Sequence, residues 1–337
     1  MVLFLHTQRA SFQWRRLIGR LALLPLLGLW PAMGWADSDN PKAAEPPELR
    51  RQLDGHVFIF TENQLDPFVS TYVLSQTGFG YGTAAGYTYD VAGKPVTLAN
   101  YQVGGFAQQL AFQYGFLDWW AVRINTVLTV YSGINGSGAA AVGTNALATV
   151  GLGTTLSWKV GDSLRLGGSL DFQFGPSVFF NILKAVQDSI ESGDISTPVI
   201  SAGSYSLVPA FVGAWAIEPW VGFTFAVSYK YSNATTSNSV NGVTNSVSLL
   251  NLGGVFDFDL DPACRVPIGF LAGLQTTFSA NKTRFTQFRW QGGIFYTGVK
   301  PLTVGLEIDY NRAPVVGATQ TFLSSLLGLI VLQYNFN

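Results

Sequence analysis

The chain is short of what a water-soluble domain relies on. Charged residues fill only 12% of its 337 positions, against about a quarter in an ordinary soluble domain. Its single cysteine, Cys264, rules out an internal disulfide and a zinc cluster built from thiolates. Its two histidines, His6 and His56, leave little for imidazole-based acid–base chemistry. Long apolar runs are missing too: past residue 36 no stretch approaches the roughly twenty apolar residues that a spanning helix needs. Yet 48% of the residues are apolar and 14% aromatic, and the mean hydropathy is positive. Such a chain points to membrane-spanning strands, whose lipid-facing residues are diluted one for one by residues facing a lumen.

Residues 1–36 read as an export signal. Arg9, Arg15, Arg16 and Arg20 precede a short apolar core from Leu21 to Trp30, and Gly34-Trp35-Ala36 supplies small residues before Asp37. Pro25 and Gly28 inside that core, and its shortness, argue against a membrane anchor. The Arg15-Arg16 pair is weakly like a twin-arginine signal, but its context is poor, and no cysteine follows the core as a lipoprotein signal requires. Without residues 1–36 the chain has fifteen basic and twenty acidic residues, a net charge of −5. That balance argues against a nucleic-acid partner, which needs a basic face. Residues 37–66 are expected to be a flexible leader or a small plug. The stretch to Gly55 is polar, with Pro41, Pro46 and Pro47, and His56 to Phe60 forms a short apolar patch.

From about Pro67 to residue 337 the chain alternates. In Leu164 to Phe174 every even residue is apolar or glycine and every odd one is polar, charged or glycine. Val221, Phe223, Phe225, Val227, Tyr229 and Tyr231 repeat the pattern, as do Leu302, Val304, Leu306, Ile308 and Tyr310. Period two gives a strand one apolar and one polar face. The second face is mostly Gly, Ala, Ser, Thr and Gln, unlike the charged outer face of a soluble sandwich. About twelve segments qualify: 68–82, 101–117, 119–132, 145–160, 163–177, 204–217, 219–232, 246–260, 266–279, 283–297, 300–312 and 321–336. Each is long enough to cross a bilayer when tilted. The expected fold is all-β, a transmembrane antiparallel barrel with up-and-down connections.

Connection lengths give the orientation. Tight joins fall at Asp118, Gly161-Asp162, Glu218-Pro219, Asp261 to Arg265 and Lys300-Pro301. Longer ones, rich in Gly, Ser and Asn, fall at about 83–100, 133–144, 178–203, 233–245 and 313–320. Short periplasmic turns and longer outer loops, with an even strand count, put both chain ends in the periplasm. Tyr114, Phe116, Trp119, Trp120, Trp158, Trp215 and Trp220 gather at tight turns, where an aromatic girdle meets the headgroups.

The last segment, Leu326 to Asn337, resembles the closing strand of Gram-negative outer-membrane β-barrel proteins. Ile330, Leu332, Tyr334 and Phe336 occupy every second position, as in that class, but Asn337 stands one residue beyond the expected terminal aromatic. The resemblance implies an outer-membrane location, contact with membrane lipid, and Tyr334 and Phe336 as the signal read by the barrel-assembly machinery. Size and strand count are also similar to small-solute channels and, more loosely, to hydrocarbon-uptake barrels. Enzymes of this class, the outer-membrane phospholipase and the omptin proteases, use His beside Ser or Asp. No His lies on any of the expected barrel strands or outer loops, so an enzyme is not expected, and a lipid-modifying activity is the least favoured reading.

Alternation turns ten charged residues to the lumen: Arg123, Lys159, Arg165, Lys230 and Arg289, with Asp171, Asp257, Asp259, Glu307 and Asp309. They either line a pore that selects small solutes or pair across the lumen and close it, Arg289 with Glu307 being one candidate pair. Leu249, Val255, Leu271, Phe295, Leu327 and Leu329 also point inward, which suits a hydrophobic or aromatic solute or packing under a plug. Ile182, Leu183, Val186 and Ile190 follow helical spacing and predict a short amphipathic helix in the longest loop. Gly151-x-Gly153 lies within a strand pattern and is not a phosphate loop. No cofactor or metal is expected. The expected function is passage of small solutes, with a closed structural or adhesive barrel as the alternative.

Overall fold

The computed structural model describes residues 51–59, 65–85, 87–89, 95–97, 101–135, 141–180, 199–236, 244–279, 286–299, 301–314 and 322–336. A hairpin of two-residue strands, β1 (Gln52–Leu53) and β2 (His56–Val57), comes first. Then follow β3 (Thr71–Ala85), a small hairpin β4 (Tyr87–Tyr89) and β5 (Pro95–Thr97), β6 (Tyr101–Leu117) and β7 (Trp120–Asn135). The chain continues through β8 (Ala141–Val160), β9 (Leu164–Phe180), β10 (Val199–Glu218), β11 (Val221–Thr236) and β12 (Thr244–Asp259). It closes with β13 (Ile268–Ser279), β14 (Thr286–Tyr296), β15 (Leu302–Pro314) and β16 (Phe322–Phe336).

Twelve of these strands, β3 and β6 to β16, form one closed antiparallel barrel in which sequence neighbours pair. The seam is β16 against β3, in register from Phe336↔Thr71 to Phe322↔Ala85. Closure matters because lipid offers no partner to an unpaired backbone N–H or C=O. The two faces separate as the alternation requires. On β13 Leu271 is 3% exposed and Leu274 is 55% exposed, and on β15 the outward Leu306 reaches 65%. A belt of exposed Leu, Ile, Val and Phe is the surface that a bilayer covers.

Five short connections lie at one end of the barrel: 118–119, 161–163, 219–220, 260–267 and 297–301. The fourth holds one helical turn, Asp261–Cys264, with exposed Cys264 in it. Exposed Trp119, Trp158, Trp215, Trp220, Tyr296, Tyr334 and Phe336 cluster near this end. Trp120 anchors its ring by donating from Nε1 to Thr154 Oγ1 at 2.8 Å.

The strands run further at the other end than the alternation suggests. Pairing continues through Tyr101↔Asn135, Phe180↔Val199 and Thr235↔Thr244, of which all but Tyr101 lie inside stretches expected to be loops. Gly, Ser and Asn there suppress the apolar signal without preventing backbone pairing, which needs no particular side chain. The loop expected at 83–100 likewise contains the β4–β5 hairpin. At the start, Pro67 to Ser70 are buried but not in a strand, and the first barrel strand begins at Thr71. The amphipathic helix expected within 182–191 lies outside the described residues.

Candidate functional site in the lumen

Residues 51–59 and 65–70 occupy the short-turn mouth of the barrel. Asp54 and Gly55, both with positive φ (44° and 83°), turn the β1–β2 hairpin. The hairpin buries Leu53 and Phe58 against Phe68, Ala214 and Ala216. Arg51 bonds Asp66 at 2.9 Å and lies 4.9 Å from the Phe68 ring centroid. Gln113 Nε2 donates to the carbonyls of Phe68 and Ser70, each at 2.9 Å, fixing the return leg to β6.

The outgoing leg is fixed on the opposite wall. Ile59 N–H donates to Asp257 Oδ2 at 2.8 Å. His56, fully buried, places Nε2 3.2 Å from Asp257 Oδ1 and Nδ1 3.3 Å from the Pro219 carbonyl. Gly222 sits directly beneath this latch, where a Cβ would collide with both His56 Nε2 and Asp257 Oδ1. Backbone without a side chain is what lets the two approach. Arg51 meets Asp66, and His56 and Pro67–Ser70 all lie at the short-turn mouth, so the segment enters and leaves at one end.

Nine of the ten charged residues assigned inward project into the barrel or its short-turn mouth, and several meet a partner. Arg123 Nη2 bonds both oxygens of Asp171, at 2.9 and 3.0 Å. Arg289 is paired with Asp309. Lys230 Nζ donates to Gln173 Oε1 at 3.1 Å. Asp259 accepts from Thr297 Oγ1 at 2.8 Å and from the Asp261 N–H at 3.2 Å, steadying two short turns. Arg165 lies 5.9 Å from the Phe68 ring centroid, on the leading segment. Glu307, the candidate partner of Arg289, stands opposite Gly293 and accepts a long 3.5 Å bond from Gln76. Register puts Arg289 opposite Asn311, two residues from Asp309, which brings it to Asp309. Lys159 differs from the other nine: it is exposed at the rim, 3.8 Å from Asp162.

Above the leading segment lies a cavity of about 390 Å³, lined among others by Leu65, Gln76, Gln109, Arg123, Asn125, Asp171, Gln173, Arg289, Leu327 and Leu329. It is amphipathic, with amides and the Arg123 and Arg289 guanidinium groups set among leucines and valines. Beside it Val255, Leu271, Phe295, Leu329 and Leu327 pack with Tyr72, Leu74 and Ile59. Ile59 belongs to the leading segment, so part of the apolar lumen wall is packing beneath that segment. Leu249 is half-buried. A second, apolar cavity of about 350 Å³ shares Ala107, Thr129 and Leu327 with the first and continues past Val103, Tyr131 and Ser325 toward the long-connection end.

The sequence did not disclose the latch. His56 and Asp257 are 201 residues apart, and only barrel closure makes them neighbours; the lone His56 at the head of the apolar Val57 to Phe60 run was the available signal. At the terminus, Phe336 pairs with Thr71, and its ring meets Tyr334 edge-on at 5.0 Å.

No family model and no curated protein matches the chain. Solved structures do. The translocator domain of the autotransporter NalP from Neisseria meningitidis is similar at a TM-score of 0.50 and 11% identity, covering 79% of this chain and 88% of that one. The transport unit of the autotransporter AIDA-I from Escherichia coli is similar at 0.52 and 10%, covering 84% and 95%. A Pseudomonas aeruginosa FadL homologue aligns at 0.44 and 10%, covering 81% and 93%. At such identities the likeness is one of fold.

Proposed function

We propose that this chain, a transmembrane β-barrel of the Gram-negative outer-membrane type, is a channel for small solutes with residues 51–59 and 65–70 forming its periplasmic plug. The observation that carries the reading is the amphipathic cavity of about 390 Å³ inside the barrel, floored by a segment that enters and leaves at the same mouth. A barrel that hands a polypeptide outward needs the chain to pass from one mouth to the other. A returning segment instead forms a floor, held by a few polar contacts to the wall. The lumen charges set what the cavity accepts, as in other pores. The assembly machinery is the proposed reader of Tyr334 and Phe336, at the exposed end of the closing strand.

A second reading has its own support. Arg123–Asp171 links β7 to β9 and Arg289–Asp309 links the adjacent β14 and β15, so lumen charges neutralise one another along the wall, as a permanently closed barrel would require. Planar-bilayer recording separates the two. The full chain is expected to conduct weakly, and a variant lacking residues 51–66 to conduct at a stable, larger unit size. Absence of conductance in both overturns the channel reading and leaves the closed barrel.

A further inference from the structure

The cavity is lined by charged as well as apolar side chains. Among the charged side chains lining it, Arg123 and Asp171 hold each other through two short bonds, and both are buried. Arg289 is different. Its side chain is 27% exposed, whereas that of its partner Asp309 is only 3% exposed. A guanidinium carries five N–H donors in a planar fork, and the described bond of Arg289 uses Nη2 alone. The charge that a solute meets is therefore positive, and the compensating carboxylate is hidden behind it.

The apolar half of the site starts beside this cation. Leu327 lines both cavities and stands opposite Asp309 in the β15–β16 register. From Leu327 the second cavity extends along Val103 and Tyr131. Gly80 and Gly105 face each other there across β3 and β6, which lets Leu327 and Tyr131 lie close against the wall. The first cavity is at the small end of the range for small-molecule sites, roughly 300–1,000 Å³.

We propose that the lumen binds small amphipathic monocarboxylates, with the carboxylate on Arg289 and the apolar body laid across Leu327 into the second cavity. The proposal rests on the channel reading only for its purpose; the binding site itself stands on the cavity chemistry. A single accessible guanidinium suits one carboxylate, since a second would be desolvated without a partner. A cationic solute of the same shape meets Arg289 and no exposed carboxylate among the described lining residues.

The test is equilibrium binding to the full chain in detergent micelles, by calorimetry, with a matched series: benzoate, benzamide, benzylammonium and acetate. Benzoate is expected to bind about tenfold or more tighter than benzamide and benzylammonium, as a charge-assisted bidentate contact implies. Acetate, lacking the apolar body, is expected to bind weakly. Arg289→Gln should bring benzoate to the level of benzamide while leaving benzamide unchanged. Because that variant leaves Asp309 without its partner, the double variant Arg289→Gln with Asp309→Asn repeats the measurement without a stranded carboxylate. Equal binding of benzoate and benzylammonium to the wild-type chain overturns the proposal. So does a folded double variant that keeps the preference for benzoate. Bilayer recordings on the same preparation separate the two readings. Benzoate bound without conductance removes the channel and keeps the site, and conductance without benzoate binding does the reverse.

Discussion

Asp257→Ala should detach the plug while leaving the barrel intact. In the wild-type chain the Asp257 carboxylate accepts from the Ile59 N–H at 2.8 Å and faces His56 Nε2 at 3.2 Å, with His56 and Asp257 both buried. Truncation strands the Ile59 N–H and removes the carboxylate that faces His56. Leaving a buried donor without its charged acceptor costs roughly 1.5–3 kcal/mol, and most of that falls on the plug because the carboxylate bond described connects to it. The upper figure raises the detached population by roughly two orders of magnitude. Hydrogen exchange of the full chain in micelles reads this at Ile59 N–H, which loses its acceptor, and at Phe58 N–H, which bonds the Arg51 carbonyl at 3.1 Å. Protection over residues 51–59 should fall about a hundredfold, with the barrel strands unchanged. Asp259→Ala is the comparison, since that carboxylate holds Thr297 and the Asp261 N–H, not the plug. Protection within threefold of wild type, or an equal loss in the barrel strands, refutes the reasoning.

Three other outcomes follow from the same geometry. Gly222→Ala places a methyl group against His56 Nε2 and Asp257 Oδ1. It should loosen residues 51–59 in the same exchange experiment with the carboxylate still present; unchanged protection means the latch has room to spare. Arg123→Ala leaves buried Asp171 without its two-bond partner and should destabilise the barrel by roughly 3–5 kcal/mol. Arg123→Met with Asp171→Leu should recover most of that loss, as measured by the urea midpoint of heat-modifiable migration. Phe336→Ala should lower the fraction assembled in cells yet leave refolding in detergent close to normal, because the ring is exposed and its Thr71 pairing is made by backbone. Equal loss in both settings indicates a folding role instead of a recognition role.

Much of the barrel was legible because its code is local. Leu164 to Phe174 alternates so regularly that face assignment needs no knowledge of neighbours, and Arg165 and Asp171 project inward as that alternation requires. The outer strand ends were illegible for the same reason. At Asn135 and Thr235 pairing is made by backbone groups, and side chains that carry no apolar signal leave no trace of it. The charge partners were only half legible. Alternation says that Arg289 and Glu307 share the lumen, but the β14–β15 register and the slant of a long side chain decide that Arg289 meets Asp309.

By itself the sequence determined a closed barrel of about twelve strands, which face of each strand meets lipid, and which end carries the short turns. These follow from a period of two and from the rule that no backbone group goes unpaired in lipid. Tertiary structure alone decided that residues 51–59 and 65–70 share one mouth, that His56 locks onto Asp257 over Gly222, and that Arg289 overlooks a cavity beside Leu327. Each depends on residues far apart in the chain, brought together only when the last strand pairs with the first.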